Sequence, residues 1–276
     1  MEHIRKAVER AKESHTADFQ HPAQIIPHWE SPTLRPNVSV AGADQLEGAE
    51  VTLSGAHLES KRIISHDIAD LRSKFFDMLR TQILQTMDMK SWQLLAVTSP
   101  TAGCGKTTIA ANLALSIARQ PERSVLLVDM DLQKPQVANH LGLSCDQGLV
   151  SVLEGRTKLS TATIRAHIRN SQLTVLPCET SIQNSSEWMG SRQMSAVLQE
   201  IRRNFRSSLV ILDLPPILTS DDVITILPQI DCVLFVAAAG SSTLQDVKEC
   251  NKHLQSASIV RVVLNKVPET GTAYYY

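Results

Sequence analysis

Apolar residues run unbroken through several short stretches of this chain and return every three to four places in others. Unbroken runs fall at about 94–99, 124–131, 173–177, 209–213, 232–239 and 259–265, and helical spacing appears at Thr107–Arg119, Arg192–Asn204 and Leu244–Leu254. Runs without polar alternation predict strands covered on both faces, so their alternation with helices predicts an α/β fold. The expected architecture is a doubly wound, mostly parallel sheet of the P-loop NTPase type with helices on both faces, formed by residues 61–276. Residues 1–14 allow a short helix with Ile4, Ala7, Val8 and Ala11 on one face, marginal alone. Residues 15–60 carry His21-Pro22, Ile26-Pro27, Ser31-Pro32 and Arg35-Pro36, which predicts a linker with turns rather than a second core. Residues 1–60 are thus read as an N-terminal helix and linker, suited to binding a partner.

Between the first apolar run and the first helix lies Gly103-Cys104-Gly105-Lys106-Thr107, followed by Thr108. Small residues let the backbone wrap a phosphate closely, and a new helix aims its unpaired N–H groups at it. Lys106 adds a charged donor, and the Thr107 hydroxyl suits a magnesium ion. The usual pattern asks for glycine where Pro100 stands, so flanking strand and helix carry the reading. ATP and Mg2+ are the expected ligands, with residues 103–108 as the cradle.

Two other strand candidates end in acids. SVLLVDMD ends in Asp129 and Asp131, and LVILDLPP carries Asp213 ahead of Pro215-Pro216. In a parallel sheet the carboxyl ends of the strands meet at one edge, so the three aspartates are expected near Thr107. Each could instead cap the turn after its strand. Three converging carboxylates repel unless a cation compensates them, which favours magnesium-nucleotide.

Composition narrows the remaining classes. A formal charge of −1 gives no reason to expect nucleic-acid binding. The clearest apolar run, Cys232 to Ala239, is far short of the roughly 18 residues a spanning helix needs, and the first 30 residues lack a signal-peptide core. Five cysteines, at 104, 145, 178, 232 and 250, form no Cys-x-x-Cys pair, which suits a reducing compartment, and the histidines show no ligand spacing with them. Cys104, at a helix N-terminus, could be a redox-sensitive thiol or a tolerated loop residue. A cytoplasmic protein without direct membrane insertion is expected.

SPTAGCGKTT at 99–108, VDMDLQKP at 128–135 and ILDLPP at 211–216, supported by GLVSVLEG at 148–155, NSSEWMGSRQM at 184–194 and VLNKV at 263–267, resemble the bacterial tyrosine autokinases of capsule and exopolysaccharide synthesis. The resemblance spans roughly residues 68–276. It implies ATP:protein-tyrosine phosphotransfer, and the tail fits that chemistry. All three tyrosines of the chain, Tyr274, Tyr275 and Tyr276, are its last three residues and follow a polar, turn-rich segment. They are the expected phosphoacceptors. Extended at about 3.3 Å per residue, the tail reaches its own site or a neighbour's. Lys106 and the loop hold phosphates, and Thr107 and Asp213 position magnesium, with Asp129 nearer the metal. Asp131 is the preferred proton acceptor for a phenol of pKa about 10. Asn265 is a candidate for the adenine edge by resemblance alone, or else caps a turn.

The resemblance also implies partners: a membrane-anchored polysaccharide chain-length regulator, which would hold the kinase peripheral to the inner membrane, and a homo-oligomer through the helix around Lys74–Arg80. Two motifs depart from the family. Relatives carry Asp-x-Asp-x-Arg, and this chain has Gln133 with Lys134 beside it. Where relatives carry Glu-x-x-Arg-x-x-Arg, it has Lys74, Asp77 and Arg80; Ile68, Leu71, Phe75, Leu79 and Ile83 are expected to form a buried stripe on that helix. Two alternatives remain: a partition or septum-site type ATPase, whose signature lysine would fall at Thr101, and a nucleotide-binding scaffold without transfer activity, which Gln133 would suit.

Overall fold

Eight strands form one sheet in the order β1-β4-β5-β3-β6-β2-β7-β8. The computed structural model describes residues 47–206 and 208–268. The strands are β1 (Glu50–Thr52), β2 (Leu94–Thr98), β3 (Ser124–Asp129), β4 (Ile164–Ile168), β5 (Ser171–Leu176), β6 (Ser208–Asp213), β7 (Cys232–Ala238) and β8 (Ile259–Asn265). Every described pairing is parallel except β4 with β5. The central strands β2, β6 and β7 are buried along their whole length, as unbroken apolar runs require.

Helices cover both faces. They are α1 (Gly55–Ser60), α2 (Ser73–Lys90), α3 (Lys106–Ala118), α4 (Val137–Leu141), α5 (Leu149–Leu153), α6 (Leu159–Ala162), α7 (Ser185–Met189), α8 (Arg192–Asn204), α9 (Asp222–Ile226) and α10 (Leu244–His253). On one face, Ile83 and Met87 of α2, Leu113 and Ile117 of α3 and Leu141 of α4 pack on Leu95, Val97, Leu127 and Ile211 of the sheet. On the other, Leu153, Met194, Leu198, Ile201 and Val223 pack on Leu94, Val128, Val210 and Phe235. This alternation of side-chain direction along β2, β3 and β6 gives the doubly wound arrangement its two cores.

Three expectations change. Residues 50–60 are part of the described fold, which therefore starts before residue 61. Glu50–Thr52 pair with Arg165–His167, and α1 follows at once with Ser54 as its N-cap. The expected stripe of the Lys74–Arg80 helix is buried only in its second half. Ile83 is fully enclosed and Leu79 partly so, whereas Ile68, Leu71 and Phe75 are exposed, Phe75 at 73%. Ile68 and Leu71 precede the helix, and its first turn faces the core through Ser73 and Phe76 instead of Phe75. Strand β4 escaped the reading because Arg165 and His167 alternate with its buried residues and break the apolar run. The N-terminal helix of residues 1–14, the linker up to residue 46 and the Tyr274–Tyr276 cluster lie outside the described residues.

Candidate active site

Strands β3, β6 and β2 are neighbours and parallel, so their carboxyl ends open on one edge. After β2 the chain turns through residues 99–105 into α3. Gly103 and Gly105 have φ of +79° and +90°, the left-handed region glycine enters without strain. A Cβ on Gly105 would also stand 2.3 Å from Nδ2 of Asn265. That amide, at the end of β8, donates to the Cys104 carbonyl at 2.9 Å, so Asn265 braces the loop from the side. Pro100 serves where glycine was expected: its carbonyl accepts from the Leu218 amide at 3.1 Å, tying the loop to the segment after β6.

Lys106 and Thr107 open α3 and meet the acids. Thr107 Oγ1 donates to Asp213 Oδ2 at 2.6 Å. Lys106 Nζ donates to Asp131 Oδ2 at 2.8 Å and stands 3.9 Å from Asp213 Oδ1. Asp129 lies opposite Asp213 in the β3–β6 register, and both are fully buried. Asp129 accepts from its own loop, Oδ1 from the Asp131 amide and Oδ2 from the amides of Gln136 and Val137. The capping role considered from sequence is therefore present at Asp129. Asp131 Oδ1 likewise accepts from the Lys134 amide.

The charges do not balance. Burial, then the charge of Asp213, pushes the Asp129 carboxyl up to about 8. Burial also raises Asp213, against the pull of Lys106 and the Thr107 hydroxyl. For Lys106 burial alone would favour the neutral amine, but Asp213 and Asp131 outweigh it and raise its pKa. One ammonium among three carboxylates leaves the site short of positive charge. Asp213 Oδ1 is buried with no hydrogen-bond partner, beside a threonine hydroxyl. Such hard oxygens fit magnesium, which commonly takes one or two carboxylates and completes its shell with water and substrate phosphate. Among the described residues no three His, Cys, Asp or Glu side chains form a closed metal cage.

Gln133 turns away from this cluster. Its Nε2 donates to Ser185 Oγ at 2.9 Å and to Asp222 Oδ2 at 3.3 Å, and Ser185 Oγ donates to Asp222 Oδ1 at 2.9 Å. Ser185 and Asp222 were not singled out from sequence, although Ser185 lies in the segment NSSEWMGSRQM. Cys104 is 1% exposed and contacts Ser242 and Thr101. Burial opposes ionisation of its thiol, but those hydrogen bonds prevail and lower its pKa. Thr108 sits in the first turn of α3 with its carbonyl bound by Asn112 at 2.8 Å.

A family model described as an AAA domain matches residues 92–259. EpsB of Ralstonia solanacearum, provisionally named a tyrosine-protein kinase, is 29% identical over 87% of this chain and 32% of its own length. This chain thus spans about a third of that relative. Tyrosine-protein kinase YwqD of Bacillus subtilis is 28% identical over 72% of this chain and 82% of its own. Among solved structures, the kinase domain of the Escherichia coli tyrosine kinase ETK superposes with a TM-score of 0.69 at 25% identity, covering 86% of this chain and 97% of that one. The cell division ATPase MinD of Pyrococcus furiosus, at 23% identity and a TM-score of 0.53, shares the fold. Phosphate loop, paired acidic strand ends and these likenesses together place the chain in the P-loop AAA domain family, on its bacterial tyrosine-kinase branch.

Proposed function

We propose that this chain is an ATP-dependent protein tyrosine kinase that phosphorylates its own Tyr274–Tyr276 cluster and thereby regulates capsule or exopolysaccharide synthesis or export. The observation that carries the reading is the contact of Lys106 with Asp131 beside Asp213 and Thr107. On this reading Lys106 is the phosphate-binding cation, Thr107 and Asp213 are the metal-binding pair, and Asp131 is a carboxylate held by Lys106 in the same cluster. Residues 103–108 bind the β- and γ-phosphates through backbone amides and Lys106. Thr107 and Asp213 hold magnesium, with Asp129 close by; the metal supplies neutralisation of phosphate charge. Phosphates draw the Lys106 ammonium away from Asp131, and Asp131 is then free to accept the tyrosine hydroxyl proton. Alignment and charge neutralisation supply most of the acceleration.

Assembly with a second copy through α2, and recruitment to the inner membrane by a membrane-anchored chain-length regulator, belong to the same proposal. Gln133 supports a second reading, a nucleotide-bound scaffold, because it places no permanent charge beside the acidic loop. Intact-mass and peptide mass spectrometry after incubation with magnesium-ATP separates the two. The kinase reading expects added phosphate on Tyr274–Tyr276 and none in Lys106→Met; binding of ATP with no phosphate added, alone or with a regulator fragment, selects the scaffold.

A further inference from the structure

Residues 53–66 lie outside the motifs quoted above and touch the two helices that follow β2 and β3. The segment leaves β1 with the Leu53 amide on the His167 carbonyl, forms α1, and crosses from α4 to α3. It is tied at both ends by polar contacts. At one end His57 Nε2 donates to the Asn139 carbonyl of α4 at 2.9 Å, and a Cβ on Gly142, at the end of that helix, would stand 2.9 Å from the His57 ring. At the other, Asn112 of α3 accepts from the amides of Ile64 at 2.8 Å and Ser65 at 3.0 Å, and donates to the carbonyls of Arg62 at 3.0 Å and Thr108 at 2.8 Å. Leu58 and Ile63, both fully buried, anchor the span between the ties.

Each tie reaches a helix that carries one half of the chemistry. Helix α3 starts with Lys106 and Thr107, and Asn112 grips the Thr108 carbonyl in its first turn. Helix α4 starts with Val137, whose amide, with that of Gln136, holds the Asp129 carboxylate. Asn112 is fully buried among apolar neighbours, where an amide is costly unless all its hydrogen bonds are made; here two donors and two acceptor sites are all used. An apolar side chain would pack the strap without fixing its register, whereas these bonds set both distance and direction.

We propose that Asn112 and His57 are positioning residues: through residues 57–65 they hold the phosphate-loop helix and the helix behind Asp129 in one register, so that nucleotide on the first is felt at the second. The proposal rests on the nucleotide-binding reading of the loop.

Hydrogen–deuterium exchange of the full chain, with and without magnesium and a non-hydrolysable ATP analogue, tests it. In the wild type the analogue is expected to slow exchange at residues 103–110, at 57–65 and at 136–143. In Asn112→Ala and in His57→Ala the protection at 103–110 persists while that at 136–143 falls by about tenfold in exchange rate, the scale of a lost local restraint. Half-buried His57 supplies the variant that keeps its fold if Asn112→Ala does not. Ser65→Ala is the control, because the buried Ser65 hydroxyl has no hydrogen-bond partner, and it should match the wild type. A merely structural role would change exchange equally with and without nucleotide. Protection at 136–143 surviving in His57→Ala, or lost in Ser65→Ala, overturns the strap while leaving the nucleotide reading intact. A wild type with no protection at 103–110 overturns both.

Discussion

Gln133 and Asp222 show what one substitution does to a buried acid. Asp222 is fully buried and its carboxylate is offered only neutral donors, from Ser185 and Gln133. Burial raises its pKa, partly offset by the Ser185 and Ser220 hydroxyls. A carboxyl raised in the folded state contributes stability below its unfolded value of about 3.8, and that contribution is lost as pH rises through the folded value. Urea titrations between pH 4 and 8 should therefore show stability falling with rising pH from this group. Asp222→Asn should flatten that part of the profile. Gln133→Arg should flatten it too, by placing a cation on the carboxylate; an unchanged slope in both would remove Asp222 as its source. The meeting of Lys106, Thr107 and Asp213 was legible because their positions come from sequence neighbours: strand, turn, helix start. Asn112, His57, Ser185 and Asp222 acquire partners only when distant segments cross, and an asparagine in ANLALS does not announce which backbone it will bind.

Among elements, α2 departs most from what its family resemblance implies. Asp77 accepts from Arg119, from Ser116 Oγ at 2.6 Å and from Arg80 at 3.1 Å, so two of the three charged positions are engaged within the subunit. Exposed at the start of α2 and in the turn before it are Ile68, Leu71, Phe75 and Met78, with Arg72 and Lys74 among them. The proposed assembly through this face would therefore be held mainly by burial of apolar surface, and screening by salt should not dissolve it. Sedimentation velocity should find the same assembly at low salt and in 0.5 M sodium chloride, while Phe75→Asp shifts it to monomer without lowering the melting temperature. Assembly surviving in Phe75→Asp would take this face out of the interface. Periodicity located the helix and missed its environment, because a stripe of spacing three and four looks alike whether it meets a core or another molecule. Strand β1 was illegible for a related reason: three residues carry too little pattern, and their pairing with β4 is what makes them a strand.

For the whole molecule, ligand linkage is the most direct check on the charge deficit at the strand ends. Magnesium-ATP at about 100 times its dissociation constant should add about 2.7 kcal/mol of stability, a rise of roughly 5–10 °C in melting temperature for a domain of this size. Calorimetry should show a smaller shift with ATP and EDTA, and none with Lys106→Met. An equal shift with and without magnesium would dissociate Asp213 from any metal role. The order of the strands has its own consequence, for the time at which such a site can exist. Strand β2, which carries the phosphate loop, lies between β6 and β7, so Leu94 waits for Val210 and Leu95 for Cys232 to be synthesised. The brace from Asn265 comes later still. Pairings this distant in sequence fold slowly, after loop-closure entropy has been overcome. A nascent chain on the ribosome therefore holds residues 99–105 unbraced until β8 has emerged, and the proposed nucleotide site is incomplete until Asn265 has been made.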